Sequence, residues 1–212
     1  MSIIRPFKGI RPRADLASAI AALPYDVYNS EEAREIVAAE PKSFLQIDRA
    51  ETLLPKGTNP YSEAVYKTAS ETLNRMIDEG SFLQDKEPCY YLYALTMNGR
   101  TQTGLVGCAS IDDYCNNVIL KHENTLEAKE QDRIRHIDAC SAQTGPIFLA
   151  YRADKKLGEI IKNVRLTPEV YDFTSDDGIR HEVWRIDKMS TIVDISKIFE
   201  AIPHLYLSLI HI

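Results

Sequence analysis

Apolar positions along the chain come in short runs with two different periods. PCYYLYALTM (88–97) and RTQTGLVGCAS (100–110) flank Asn98-Gly99. That dipeptide suits the two positive-φ positions of a type I′ turn, so an antiparallel hairpin is predicted. EVYDFTS and IRHEVWRID flank Asp176-Asp177-Gly178 and predict a second hairpin. SFLQI (43–47) has the look of a short strand, VIL (118–120) is another, and PIFLAY (146–151) reads as a buried strand.

Helical signals lie between these runs. Asn29 as N-cap with Glu32 three residues on predicts a helix to about Glu40, where Pro41 stops it. Asn59, Pro60 and Gly80 bracket a second helix whose Ala64, Val65, Leu73, Met76 and Ile77 share a stripe. Residues 126–138 are mostly polar, and Leu126, Ile134 and Ile137 give only a thin stripe, which predicts a largely exposed helix. Segments 154–164 and 195–202 are also helical, the latter ended by Pro203. Residues 1–28 hold Pro6, Pro12 and Pro24 and are expected to be extended with turns. Helices and hairpins that mix without strict alternation give an α+β class, a mixed sheet with hairpins and flanking helices.

Composition narrows the function classes. The 212 residues are 44% hydrophobic and 26% charged, as in an ordinary globular protein. A net charge of -6 argues against a nucleic-acid partner. No apolar run of spanning length and no signal-type h-region is present, so no membrane partner is expected and the cytoplasm is the default. Four cysteines without a CxxC or zinc spacing read as free, buried thiols in a reducing cytosol. There is no P-loop, GxGxxG, GxSxG, HExxH or kinase HRD/DFG motif. Gly104-x-x-Gly107 lies in a strand and reads as a bulge or a close approach.

The densest polar cluster is Lys121-His122-Glu123-Asn124-Thr125, followed by Lys129, Asp132, Arg133, Arg135 and His136. A strand-to-helix junction offers free N–H groups to an anion. Helical spacing puts Thr125, Lys129 and Asp132 or Arg133 on one face. Glu123 could take a hydroxyl proton. The same spacing also fits a solvated helix face. Pro24-Tyr25-Asp26-Val27 could wall a pocket, with Asp26 on a hydroxyl, an amine or a metal; the alternative is a β-turn whose Asp caps the next segment. Thr144, in a tight turn, could line a site, whereas His181 and Trp184 read mainly as one packed face.

Taken together, RPFKGIRP (5–12), PYDV (24–27) with EEAR (31–34), KHENT (121–125) with Lys129, Asp132 and Arg133, TGPIF (144–148) and HEVWRI (181–186) resemble the domain-of-unknown-function family numbered 1015. One departure is Thr144-Gly145-Pro146, where that family has Ser-Pro. The resemblance implies a ParB/sulfiredoxin-like element and a likeness to ATP-dependent free-serine kinases. By that likeness Glu123 is the base on a serine hydroxyl and His122 a phosphate or substrate contact. Lys121, Thr125, Lys129, Arg133, Tyr25 and Asp26 are expected to bind substrate or phosphate. ATP and Mg²⁺ are the implied cofactors, with no protein metal ligand expected, and a small molecule and a nucleotide are the implied partners. Oligomeric state is left open. The other class that fits is a non-catalytic nucleotide- or phosphate-binding regulatory module.

After Tyr206 the family pattern continues Ile-Ala-Asp-Gly-His-His-Arg, whereas this chain reads Leu-Ser-Leu-Ile-His-Ile. Those six residues are also what a transposon sequencing adapter encodes. Residues 1–206 are therefore expected to be the N-terminal part of one family domain, inactive alone, and 207–212 a non-native tail.

Overall fold

The structure is a computed structural model that describes residues 1–121 and 127–208. It opens with strands β1 (Ile4–Arg5) and β2 (Ile10–Pro12), a 3-10 turn (Ala14–Leu16) and helix α1 (Ala17–Ile20). Helices α2 (Ser30–Ala39) and α3 (Leu45–Asp48), a second 3-10 turn (Ala50–Leu53) and α4 (Glu63–Asp78) follow. Next come strands β3 (Phe82–Gln84), β4 (Tyr90–Met97), β5 (Arg100–Val106) and β6 (Cys108–Ala109), then α5 (Ile111–Cys115) and β7 (Ile119–Leu120). The rest is α6 (Glu127–Cys140), β8 (Phe148–Ala150), α7 (Lys155–Val164), β9 (Tyr171–Thr174), β10 (Arg180–Ile186), α8 (Met189–Ala201) and β11 (Leu205–Ser208). The class is α+β, as the pattern of runs predicts.

The chain divides into two compact units. The first comprises Met1–Ala14, Gln84–Glu123 and Ile147–Ile212. Its main sheet is antiparallel in the order β5-β4-β10-β9. The β4–β5 hairpin turns where predicted, with Asn98 at φ 51° and Gly99 at φ 76°. In the register Trp184 lies opposite Leu92 and Ile186 opposite Tyr90. One face of the sheet thus delivers Tyr90, Leu92, Trp184 and Ile186 to a core shared with Leu157, Ile192, Ile195 and Phe199. A smaller sheet, β7-β11-β8, pairs β11 parallel with β7 and antiparallel with β8. Gly107 marks a close approach, since a Cβ there would press on Ile4 and Tyr90; Gly104 meets nothing.

The second unit, Asp15–Leu83 with Asn124–Pro146, is helical and packs Ile20, Ile47, Val65, Ala69, Leu73, Met76 and Cys140 together. Asn29 caps α2 as predicted: its Oδ1 accepts from Glu31 N (2.9 Å) and Glu32 N (3.0 Å), while Glu32 Oε2 accepts from Asn29 N (2.9 Å).

Five expectations are corrected. SFLQI is not a strand but enters α3, a helical turn that buries Leu45, Gln46 and Ile47 in succession; so short an apolar run has no readable period. The helix expected from Pro60 starts at Glu63, because Asn59 spends its side chain on a turn, accepting from Tyr61 N (3.0 Å). Residues 14–20, free of proline, coil into short helices that bury Ala17 and Ile20. PIFLAY narrows to β8, whose neighbours leave Ile147 62% exposed. Finally, α6 turns inward not its thin apolar stripe but Asp132, His136 and Cys140, leaving Ile134 exposed.

Candidate functional site

Residues 132, 136 and 140 are four apart, so they line one face of α6. Buried polar groups need partners, and this face finds them on α3 and α4. Asp132 accepts from the Tyr66 hydroxyl at Oδ1 (2.8 Å) and from Arg133 Nε (2.9 Å) and Nη2 (2.7 Å) at Oδ2. Burial first, then the Asp132 bond, pushes the Tyr66 phenol up to about 12, so it stays a donor. His136 Nε2 lies 3.1 Å from the Ile47 carbonyl, an acceptor, so in the neutral ring the proton sits on Nε2. Nδ1 then faces Cys140 Sγ at 4.0 Å. Burial pushes that thiol up to about 11, which makes Cys140 a packed thiol rather than a nucleophile.

Asp48, the last residue of α3, stands 4.0 Å from His136 Nε2 and accepts from Thr144 Oγ1 at 2.9 Å. Burial raises its carboxyl above the ordinary range, opposed by Thr144, His136 and Arg133. Thr144 thus serves this corner, as its place in a tight turn allowed.

The segment 24–28 forms the turn that its sequence offered as the plainer alternative: Val27 N donates to Pro24 O at 3.0 Å. The cap of α2 is Asn29 rather than Asp26, which is exposed. The ring of Tyr25 carries the Arg133 guanidinium, with Cζ 4.1 Å from the ring centroid. Burial raises the Tyr25 phenol, and Arg133 opposes that rise. Arg133 is therefore fixed twice, by Asp132 along its Nε–Nη2 edge and by Tyr25 beneath its plane, and its side chain remains 28% exposed. A cation held in this way can meet an anion without first being ordered.

Of the residues expected to form the site, the structure brings together Tyr25 and Arg133, with Asp26 next in chain. Lys129 is exposed on α6, one turn before Arg133. Lys121 belongs to the first unit, where its Nζ lies 3.9 Å over the Tyr114 ring. His122, Glu123 and Thr125 lie outside the described residues. Sequence reasoning missed Tyr66 and Asp48. The available signal was α6 itself: polar residues at spacing four require partners on the helices they face.

The edge of Arg133 that Asp132 leaves free is a positive charge open to solvent. Magnesium is not provided for by the described carboxylates here: Asp132 is taken by Tyr66 and Arg133, and no cluster of three or more His, Cys, Asp or Glu among the described residues could hold a metal ion.

Two other motifs serve the fold. Arg11 of RPFKGIRP clamps Asp85 through Nε (2.9 Å) and Nη2 (3.0 Å), and Arg185 of HEVWRI reaches the same carboxylate through Nη1 (2.9 Å). The Tyr91 hydroxyl completes the set at 2.5 Å, and a Cβ on Gly9 would collide with it. His181, on the same sheet, is held between Tyr93 (2.7 Å) and Ser175 (2.9 Å) and stacks on Phe173. All four cysteines are free, but only Cys89 and Cys140 are buried as expected; Cys108 and Cys115 are exposed.

A family model described as "Protein of unknown function (DUF1015)" matches residues 4–208. No curated protein and no solved structure matches the chain.

Proposed function

The chain belongs to the DUF1015 family, and from that premise we propose that it serves an ATP-dependent kinase reaction on a small hydroxy compound, free L-serine being the substrate the motif likeness suggests. One observation carries the reading. PYDV and the KHENT–Lys129–Asp132–Arg133 run are far apart in sequence, yet Arg133 rests on Tyr25 at 4.1 Å. Two motifs singled out separately for binding thus supply one surface: a cation positioned on the Tyr25 ring, with the exposed Asp26 next to Tyr25 in the chain.

In this reading Glu123 accepts the hydroxyl proton, and the freed oxygen forms a bond to the γ-phosphorus. The bond to the bridging oxygen breaks, and ADP leaves with the negative charge. Arg133 faces the phosphate charge, with Thr125 and Lys129 as further contacts. Magnesium, were it carried in with ATP, would offset the negative charge of the phosphates. Phosphoryl transfer asks a protein for positioning and cations more than for covalent chemistry, which suits a corner whose described thiol, Cys140, is packed and protonated.

The test is ³¹P NMR of the protein as its gene encodes it, given ATP, Mg²⁺ and L-serine. Phosphoserine should form, and Glu123→Gln should slow its formation by about a hundredfold or more while the fold persists. Unchanged turnover in that variant rejects Glu123 as the base. ATP binding with no product supports the regulatory-module class instead.

A further inference from the structure

Two arginines of the second unit staple neighbouring backbone, and they do so differently. Arg34 Nη1 donates to the carbonyls of Thr52 (2.8 Å) and Leu54 (2.7 Å), and Nη2 to that of Glu51 (2.5 Å). Its close acceptors all belong to the 3-10 turn and its exit. Arg49 reaches elsewhere. Its Nη1 donates to the carbonyls of Tyr25 (2.9 Å) and Tyr28 (2.6 Å), its Nη2 to Ser30 Oγ (2.8 Å), and its Nε to Glu51 Oε1 (2.7 Å).

One guanidinium therefore ties both ends of the 25–28 turn and the first residue of α2 to a single buried carboxylate. Glu51 is only 3% exposed at its side chain and Arg49 15%. The planar fork matters, because an ammonium is a point charge on a flexible stem and cannot span those acceptors in one geometry. Tyr25 in turn carries Arg133 on its ring. The chain of contact thus runs from Glu51 through Arg49 and the Tyr25 main chain to Arg133.

We infer that Arg49, anchored by Glu51, is a positioning residue that sets Tyr25 and, through it, the Arg133 guanidinium at the binding surface. For the reaction it serves, this rests on the kinase reading above; for the turn it holds, it does not.

The experiment compares Arg49→Lys with Arg34→Lys in the protein as its gene encodes it, below both unfolding midpoints. The Tyr25 ring is followed by ¹³Cζ NMR, assigned with Tyr25→Phe. Releasing the turn removes the burial that raises the Tyr25 phenol, so in Arg49→Lys its titration should fall by about half a pH unit or more. Amides 25–30 should exchange about tenfold faster. Arg34→Lys should lower the melting temperature but leave both readouts unmoved. Unchanged Tyr25 titration and exchange in Arg49→Lys, or equal changes in the two variants, overturns the inference. Should Arg49→Lys not fold, Glu51→Ala, which keeps the fork and removes its anchor, takes its place with the same expected outcome. With ATP and L-serine, Arg49→Lys should lose about a hundredfold in kcat/KM and Arg34→Lys little. A wild-type protein that makes no phosphoserine fails the kinase reading, and the Tyr25 readouts still decide the role of Arg49.

Discussion

Two buried carboxylates, Asp85 in the first unit and Asp132 in the second, are each surrounded by arginine and tyrosine, yet the two arrangements differ in kind. Asp85, 4% exposed at its side chain, accepts from Arg11 twice, from Arg185 and from Tyr91. Burial alone would raise its carboxyl, but the bonds from Arg11, Tyr91 and Arg185 outweigh that and hold it down at about 2. The donors converge on the acid, and the cluster ties strand ends together. At Asp132 the acid serves the arginine: it fixes one edge of Arg133, while Tyr25 supports the plane and the rest stays open. The same three residue types therefore make a staple when the carboxylate is the hub and, in the function proposed above, a binding surface when the guanidinium is.

The largest effect that would break this contrast is on stability. Asp85→Ala leaves two arginines and a tyrosine without their shared acceptor and should cost about 3 kcal/mol, read as a drop in the thermal midpoint. A cost near zero would show that the cluster is no staple. Gly9→Ala drives a methyl into the Tyr91 hydroxyl and should cost about 2 kcal/mol, whereas Gly104→Ala, with open space around its Cβ, should be far milder. Arg133→Lys should barely touch stability, about 1 kcal/mol or less from the lost stacking. It should nonetheless weaken phosphate or nucleotide binding, measured by calorimetry, far more than a change at a surface lysine outside the proposed site, such as Lys156→Ala.

Legibility followed the same divide. The β4–β5 hairpin and the α2 cap were readable because Asn98-Gly99 and Asn29 with Glu32 act within four residues of themselves. RPFKGIRP and HEVWRI were visible as motifs, but their meaning was not, since Arg11 and Arg185 meet only at Asp85, a residue that no local pattern marks. The inner face of α6 was hidden for a related reason. Amphipathic reading looks for apolar stripes, and here the packed stripe is Asp132, His136 and Cys140. Arg49 escaped notice because SFLQI looked like a strand, which left no helical corner for it to occupy. Tyr25 and Arg133 were each legible, their contact was not.

The smallest expected effect sharpens the comparison most, because its sign is opposite on the two sides. Asp85 has a folded carboxyl below its ordinary value, so its contribution to stability is present above about pH 4 and is lost as pH falls toward about 2. Asp48 is raised by burial, with Thr144, His136 and Arg133 opposing. Its contribution is therefore full below the ordinary carboxylate range and is lost as pH rises through the folded value. Asp48→Asn keeps an acceptor for Thr144 and removes the charge that burial disfavours. Chemical denaturation at neutral pH should find this variant as stable as the parent, or more so, while Asp85→Asn is less stable. Between about pH 4 and 2, Asp85→Asn should lose the acid-limb slope that the parent shows. If both asparagine variants destabilise alike at neutral pH, Asp48 is a second staple, held charged by His136 and Arg133, and the corner beside the Tyr25 turn belongs with Asp85 rather than with the binding surface.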